Sequence, residues 1–416
     1  MSAAVPLDEL DVIGPDTYAE NGYPHAAWKR LRRESPIHWF DLPDGVGFWA
    51  VTRRADVVSI SKQPKRFQNG PRLAVFEGGG PPEGPRTFVR HLLNMDPPEH
   101  AKFRRVASGW FTPRAIQRRR EEVERITREL LAEMAGDGEE RSADFVGDLT
   151  APVTLSVLAE MLGVPREDWR MMFQWTNQIA GAADPEFNVT DGEPFESVEK
   201  ARNELFTYFM KLAAERRAAP RDDMVSVLAN AEIDGGPVPT LELLSYFLLL
   251  VVAGNETTRN AASGGLLALI ENPGELAKLR RDPGLVDSAV EEIVRWTAPV
   301  IQFCRTPVED EVLHGKRVRA GDSLCLFYPS ANRDEEAFED PDRFRVDRHP
   351  NPHLGFGIGE HFCLGANLAR LELRVIFREL AERLEEVSLD GPYERMRSSF
   401  LGGVKRMPIR YRLKPG

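Results

Sequence analysis

Cys363 is the residue in this chain best placed for uncommon chemistry. It lies in Phe356-Gly-Ile-Gly-Glu-His-Phe-Cys-Leu-Gly365, just before a helical pattern that runs from Ala366 to about Leu384. The glycines let a backbone turn tightly and approach a flat partner closely. A cysteine at a helix start sits among unpaired N–H groups and the positive end of the dipole, which favour its thiolate. A thiolate held this way suits an iron atom, and a thiolate-bound heme iron pushes electron density towards O–O cleavage. Taken alone, the cysteine also reads as a buried free thiol beside a Gly-rich turn.

Two further stretches carry polar groups in places that invite a reason. The first is Ala253-Gly-Asn-Glu-Thr-Thr258, in the middle of a helical pattern of about 30 residues. Thr240 is the expected cap of that helix, Glu242 sits in its first turn, and Asn272-Pro273 stop it. A helix this long spans roughly 45 Å, so an apolar one must run through a core. Gly254 lowers helix propensity, Glu256 is ionisable in an apolar setting, and Ala253 and Thr257 share a face. On its own the pattern describes a kink with a hydrated polar patch.

The second stretch is Leu93-Asn-Met-Asp-Pro-Pro-Glu-His100. Asp96 reads as an N-cap, with Pro97 at the first helical position and Glu99 three residues on. His100 and Arg104 then lie one turn apart on one face, where paired donors suit an anionic carboxylate. As an isolated pair they would be solvated surface residues. Downstream, Glu292 and Arg295 have the i, i+3 spacing of an ion pair on another helix.

The loop around Cys363 resembles the heme-binding loop of the cytochrome P450 monooxygenases, Phe-Gly-x-Gly-x-His-x-Cys-x-Gly, with no departure. The other motifs follow in that family's order, and the resemblance runs from about residue 20 to the C-terminus. It implies one domain over residues 1–416, mainly α with a small β region, with a long central helix over heme b (iron protoporphyrin IX). It implies that Cys363 is the axial iron ligand and that Phe356 and Gly365 lie against the heme. Ala253, Gly254 and Thr257 would cross its distal face. Thr257 would hold dioxygen through a hydrogen bond, and Glu256 would relay protons. His100 and Arg104 would bind one propionate, and Arg305 with His361 the other. Glu292, Arg295 and Arg343, the last from Pro341-Asp-Arg-Phe344, would form a buried structural network.

The implied reaction splits dioxygen, putting one atom into an unactivated C–H bond and the other into water. No flavin or iron–sulfur motif is present, so electrons are expected from a ferredoxin fed by a NAD(P)H-dependent reductase and docked on the side of Cys363. Two other readings share the fold: a peroxide-driven hydroxylase, and a heme protein that senses gas or transfers electrons. Neither needs Glu256 and Thr257, which therefore weigh against both.

Composition narrows the partners. The formal charge is −11, which excludes non-specific nucleic-acid binding. Cys304, Cys325 and Cys363 are odd in number and show no CxxC spacing, so a reducing cytoplasm is expected, with Cys304 and Cys325 as small core residues. The N-terminal stretch has neither a basic region nor a long apolar one, and the longest apolar run, Phe247 to Ala253, is too short to span a bilayer. No membrane anchor is therefore expected, as in the soluble bacterial relatives.

The remaining elements position these groups. Residues 24–34 read as an amphipathic helix. Strands at 37–40 and 47–52 flank a Pro-Asp-Gly turn. Helices are expected at 114–135, within 143–175 and at 196–217. The Gly/Pro-rich 69–86 loop would roof the pocket, and 180–200 would form a lid.

Spacing back from Thr257 puts Tyr246, Leu249, Leu250 and Ala253 on or near its face. Ala298-Pro-Val-Ile-Gln-Phe303, with Val300 and Ile301, and the Ser398–Gly403 turn, with Phe400, are the other expected walls. No charge falls in these stretches, which disfavours a small anionic substrate. The motif wording most resembles bacterial enzymes that hydroxylate sterol side chains and methyl-branched lipids. The alternative is a generic apolar pocket for terpenoid or polyketide tailoring.

Overall fold

The long helix of the computed structural model runs Thr240–Glu271, 32 residues, and most of the other large helices pack against it. The structure describes residues 5–42, 47–76, 90–181, 184–188 and 194–415. The expected turn at 43–45, most of the 69–86 loop and parts of the 180–200 lid lie outside them. A helix that is apolar around most of its circumference must be covered on all sides. Here the covers are Ala151–Leu162, Trp169–Ala180, Pro194–Ala218, Val286–Thr297 and Ala366–Arg383. Gly265 sets how close the last two come. A Cβ there would stand 2.6 Å from the Phe377 ring and 2.8 Å from Ile293.

The β region is small, as expected. Its largest sheet orders the strands Ile37–Phe40, Phe48–Val51, Leu324–Phe327, Gln302–Pro307 and Phe67–Gln68. Ile37–Phe40 and Phe48–Val51 pair antiparallel, Ile37 opposite Val51. Alternation along Leu324–Phe327 sends Cys325 and Phe327 into one apolar cluster and Leu324 and Leu326 into another, so this sheet is buried on both faces. Cys304 and Cys325 face each other across two strands, both fully buried, as small core residues.

Three local expectations need correction. Thr240 is the first helical residue rather than the cap, and no side chain caps that end. The helix bearing His100 starts at Glu99, and Asp96 does not cap it. Its carboxylate instead accepts from the backbone N–H of Asn69 at 2.8 Å and from the Asn69 side-chain amide at 3.0 Å. A long-range use of the carboxylate has displaced the local one. Third, the buried network on Val286–Thr297 has a different third member. Arg295 grips Glu292 through Nε at 2.7 Å and Nη2 at 2.9 Å. The second arginine on Glu292 is Arg348, with Nε at 3.1 and 3.0 Å from the two carboxylate oxygens. Arg343 is exposed and contributes only its backbone carbonyl, which accepts from Arg295 and Arg348.

Candidate active site

The loop before the floor helix, Ala366–Arg383, closes on itself. The Cys363 N–H donates to the Phe356 carbonyl at 2.9 Å. Gly357 and Gly359 take left-handed φ values of +68° and +81°. At Gly359 a Cβ would also stand 2.5 Å from the Ser61 carbonyl oxygen, so only glycine fits. The result aims the Cys363 sulfur into the interior. Enclosure by protein pushes its thiol pKa up, while the backbone N–H groups of Gly365 and Ala366, then Arg104 and Arg370, pull it back. These N–H groups belong to the helix start, as the sequence pattern implies.

That sulfur lies on the wall of one large cavity of roughly 1590 Å³, its mouth included. The long helix supplies a stripe to it: Tyr246, Leu249, Leu250, Ala253, Gly254, Thr257 and, at its end, Thr258 and Ala261. Gly254 admits the side chain of Leu158, which stands 3.2 Å from where a Cβ would be. Thr257 Oγ1 donates to the Ala253 carbonyl at 2.8 Å. Tyr246 is tied by its hydroxyl to the Phe103 carbonyl at 3.1 Å. Val300, Phe303 and Phe356 complete the apolar walls, with Arg370 stacked 4.5 Å from the Phe356 ring centroid.

One end of the cavity is different. His100, Arg104, Arg305 and His361 converge there. Burial pushes the pKa of His100 down to about 4, and nearby Arg104 adds to the effect. His361 is lowered for the same reason, with His100, Arg305 and Arg104 pressing the same way. The two rings lie with centroids 4.0 Å apart, tilted by 31°, beside Arg104 and Arg305. Arg104 reaches the Phe362 carbonyl at 2.6 Å, and Arg305 that of Cys304 at 2.7 Å. Such a cluster suits paired carboxylates.

Three expected members stand elsewhere. Glu256 is fully buried, but it turns away from the cavity and pairs with Arg259 one turn on. Burial raises its carboxyl pKa, and Arg259 opposes the rise. Arg259 also donates to Asn177 Oδ1 at 3.1 Å, tying the pair to the Trp169–Ala180 helix. Ile301 alternates away from Val300 into the core of the sheet. Phe400 stands behind Phe303, ring centroids 5.6 Å apart, rather than on the cavity wall.

The sequence reading also missed two polar lining residues. Asn69 is buried, held by Asp96, and its side-chain amide lies 2.7 Å from His361 Nε2. Glu372 is buried on the floor helix. Its signal was available, since it falls on the apolar stripe Gly365, Leu368, Ala369, Glu372, Leu373.

A thiol on the wall of an apolar slot, glycines beside it and cations at one end fit a flat, metal-centred ligand with two carboxylates. The fold and the site define a heme-thiolate protein. The chain belongs to the cytochrome P450 family, whose family model matches residues 83–391. It is 39% identical to the steroid C26-monooxygenase of Rhodococcus jostii over 98% of this chain and 86% of that protein. It is 40% identical to the methyl-branched lipid omega-hydroxylase of Mycobacterium tuberculosis over 98% and 94% of the two chains. A Mycobacterium marinum cytochrome P450 solved in complex with pseudoionone superposes with a TM-score of 0.89 at 35% identity, covering 98% of this chain and 100% of that one. The protein is thus a monooxygenase with a heme-thiolate cofactor, as the motif around Cys363 implies. Among the described residues no helix is long and apolar enough to cross a membrane.

Proposed function

We propose that this monooxygenase hydroxylates an unactivated C–H bond of a bulky apolar molecule, a sterol, steroid or methyl-branched lipid. It would work in the cytoplasm as one domain, with two electrons from a ferredoxin and its NAD(P)H-dependent reductase. The observation that carries this is the cavity itself. Its walls from Tyr246 to Ala261 and at Val300 and Phe303 are almost wholly apolar, and its cations, Arg104 and Arg305, gather with His100 and His361. A small anionic substrate would find no partner along that stripe. The named activities of the Rhodococcus and Mycobacterium relatives support the same class. A terpenoid substrate is the second reading, supported by the pseudoionone complex of the similar M. marinum protein.

The chain's own residues divide the work. Cys363 supplies the thiolate to iron. Arg104 and His100 hold one carboxylate of the cofactor, and Arg305 and His361 the other, each charge-assisted bond worth on the order of 1.5–3 kcal/mol. When bound, heme supplies the redox chemistry that activates dioxygen. Leu249, Leu250 and Val300 exclude water and orient the substrate. Thr257 can turn its hydroxyl from the Ala253 carbonyl towards dioxygen. Glu256 accepts protons on the far side of the helix, and delivers them when it leaves Arg259.

Two measurements test this reading. The reduced protein under carbon monoxide should show the far-red-shifted Soret band of thiolate ligation, and Cys363→His should lose it. A panel of sterols, steroids, branched fatty acids, terpenes and macrolides should give low-to-high-spin shifts and hydroxylated products with the lipids. Retention of the band in Cys363→His sinks the ligand assignment. Turnover confined to macrolides sinks the lipid reading and leaves the family assignment intact.

A further inference from the structure

We propose that Gln302 is a positioning residue for selectivity: its buried side-chain amide holds in register the three chain segments that carry Phe76, Phe303 and Phe400, and so sets how far one wall of the substrate cavity yields. This rests on the oxygenase reading above.

Gln302 opens the strand Gln302–Pro307 and is fully buried. Its amide is used at both ends. Oε1 accepts from the Val75 N–H at 3.1 Å, and Nε2 donates to the Val75 carbonyl at 2.7 Å and to the Ser399 carbonyl at 3.2 Å. The Cys325 thiol, on the neighbouring strand, donates to Oε1 at 2.6 Å. A primary amide has two donors and two acceptor lone pairs, so all four positions are occupied. Reversing the group would set its NH2 against the Val75 N–H, so the network fixes which end is which.

The backbone alone does not hold the Val75 segment there. Along the outer edge of this strand, Phe67 and Gln68 pair with Pro307 and Thr306, and the Cys304 N–H donates to the Leu73 carbonyl at 2.8 Å. At Val75 that pairing gives out, and the Gln302 side chain takes the place of a strand partner for both its N–H and its carbonyl. Val75 is buried, so these groups need a partner that water does not supply.

Each segment tied to the amide carries a phenylalanine at the next position. Alternation sends Gln302 to one face of the sheet and Phe303 to the other, where it lines the cavity. Phe400 stands behind Phe303 with ring centroids 5.6 Å apart, and Phe76 packs on Phe400 at 6.0 Å, edge to face. Phe76 is 41% exposed, so the three rings form a column from the cavity wall to the surface. The turn bearing Phe400 is also bound by backbone, through the Ile301 N–H to the Phe400 carbonyl at 2.9 Å and the Gly402 N–H to the Pro299 carbonyl at 2.8 Å. Among the described residues the Phe76 end has only the Gln302 amide beside it. A bulky substrate pressing on Phe303 therefore meets a wall as stiff as that clamp.

The experiment uses the heme-loaded protein. Gln302→Leu keeps the side chain's bulk and removes all four bonds; Phe76→Ala removes the exposed end of the column and leaves the amide in place. Both should retain the carbon monoxide Soret band. The affinity for 4-phenylimidazole relative to imidazole, read by Soret titration, should rise severalfold in both, because the wall yields to the larger ligand. With surrogate ferredoxin and reductase and cholest-4-en-3-one as substrate, the ratio of major to minor hydroxylated products should fall severalfold in both.

Amide hydrogen exchange locates the cause. The Val75 N–H should exchange many times faster in Gln302→Leu, while the Cys304 N–H stays protected by Leu73. Parent-like azole and product ratios in both variants overturn the proposal even where Val75 exchanges faster, because the amide would then hold the segment and set no selectivity. If Gln302→Leu fails to take up heme, Phe76→Ala decides alone, and parent-like ratios in it overturn the proposal. The azole ratio does not depend on the natural substrate. A shifted ratio in a protein that oxidises no lipid would support the clamp and sink the lipid reading above; a wild type with no thiolate band would overturn both.

Discussion

Replacing Arg348 with alanine should cripple folding, while the same change at Arg343 should be nearly silent. Arg348 is buried and makes five hydrogen bonds. Two go to the Glu292 carboxylate, and three to the carbonyls of Glu339 at 2.6 Å, Asp340 at 3.1 Å and Arg343 at 2.6 Å. Truncation leaves Glu292 with Arg295 as its one cation and strands the Glu339 carbonyl, while the Asp340 and Arg343 carbonyls keep the Arg343 N–H and Arg295. Breaking a buried pair by removing one partner costs about 3–5 kcal/mol, and the unmet Glu339 carbonyl adds about 1 kcal/mol unless water enters. A loss of about 5 kcal/mol is a large part of what a domain has. The exposed Arg343 side chain should be worth within about 0.5 kcal/mol. The assay is urea unfolding of the heme-loaded variants, followed by far-UV ellipticity and by the Soret band. Glu292→Gln in the Arg348→Ala background should cost about 3–5 kcal/mol more, because it leaves buried Arg295 without a counter-charge. Equal urea midpoints for Arg343→Ala and Arg348→Ala would refute the assignment of the third member of the network.

Three further outcomes are expected. Burial raises the Glu291 pKa, but hydrogen bonds from Arg370 at 2.6 and 2.8 Å and from His353 at 3.0 Å outweigh it and bring the carboxyl down to about 2. A depressed pKa contributes stability that is complete above the unfolded value near 4.5 and is lost as pH falls towards 2, so Glu291→Gln should cost up to about 3 kcal/mol at pH 7 and progressively less below pH 4.5 in urea titrations. Thr257→Ala should bind heme and substrate normally but divert reductant to peroxide or water, and unchanged coupling would deny the side chain any part in proton delivery. Arg305→Ala should release heme to apomyoglobin several times faster than the parent; equal rates would remove Arg305 from the propionate end.

What could be read beforehand depended on whether the deciding force was local. The Thr240–Glu271 helix was legible because an apolar pattern that long has only one home, the core. The Cys363 loop was legible because glycines at 357 and 359 are demanded by backbone conformation, which no distant contact can override. Asp96 was misread because a capping pattern says where a carboxylate could bond, not where it does; Asn69, 27 residues earlier in the chain, outcompeted the helix end. Arg343 and Arg348 sit in a loop without periodicity, so only the packed structure decides which one turns inward towards Glu292.

The Glu256–Thr257 pair marks a different limit, one the sequence itself could have exposed. Successive helical residues differ by about 100° in direction, so the two neighbours of Thr257 lie about 160° apart and cannot both join its face. The cavity stripe of Ala253, Gly254, Thr257, Thr258 and Ala261 follows the 3–4 spacing of one face, and Glu256 falls outside it. The acid beside the alcohol in the chain therefore points off the cavity face, towards Arg259. A proton passing between them must go around that helix or wait for Arg259 to let go. The same periodicity applied to the floor helix puts Glu372 on the cavity stripe with Gly365, Leu368 and Ala369. Facial phase, rather than nearness in the motif, decides which side chains reach the cavity.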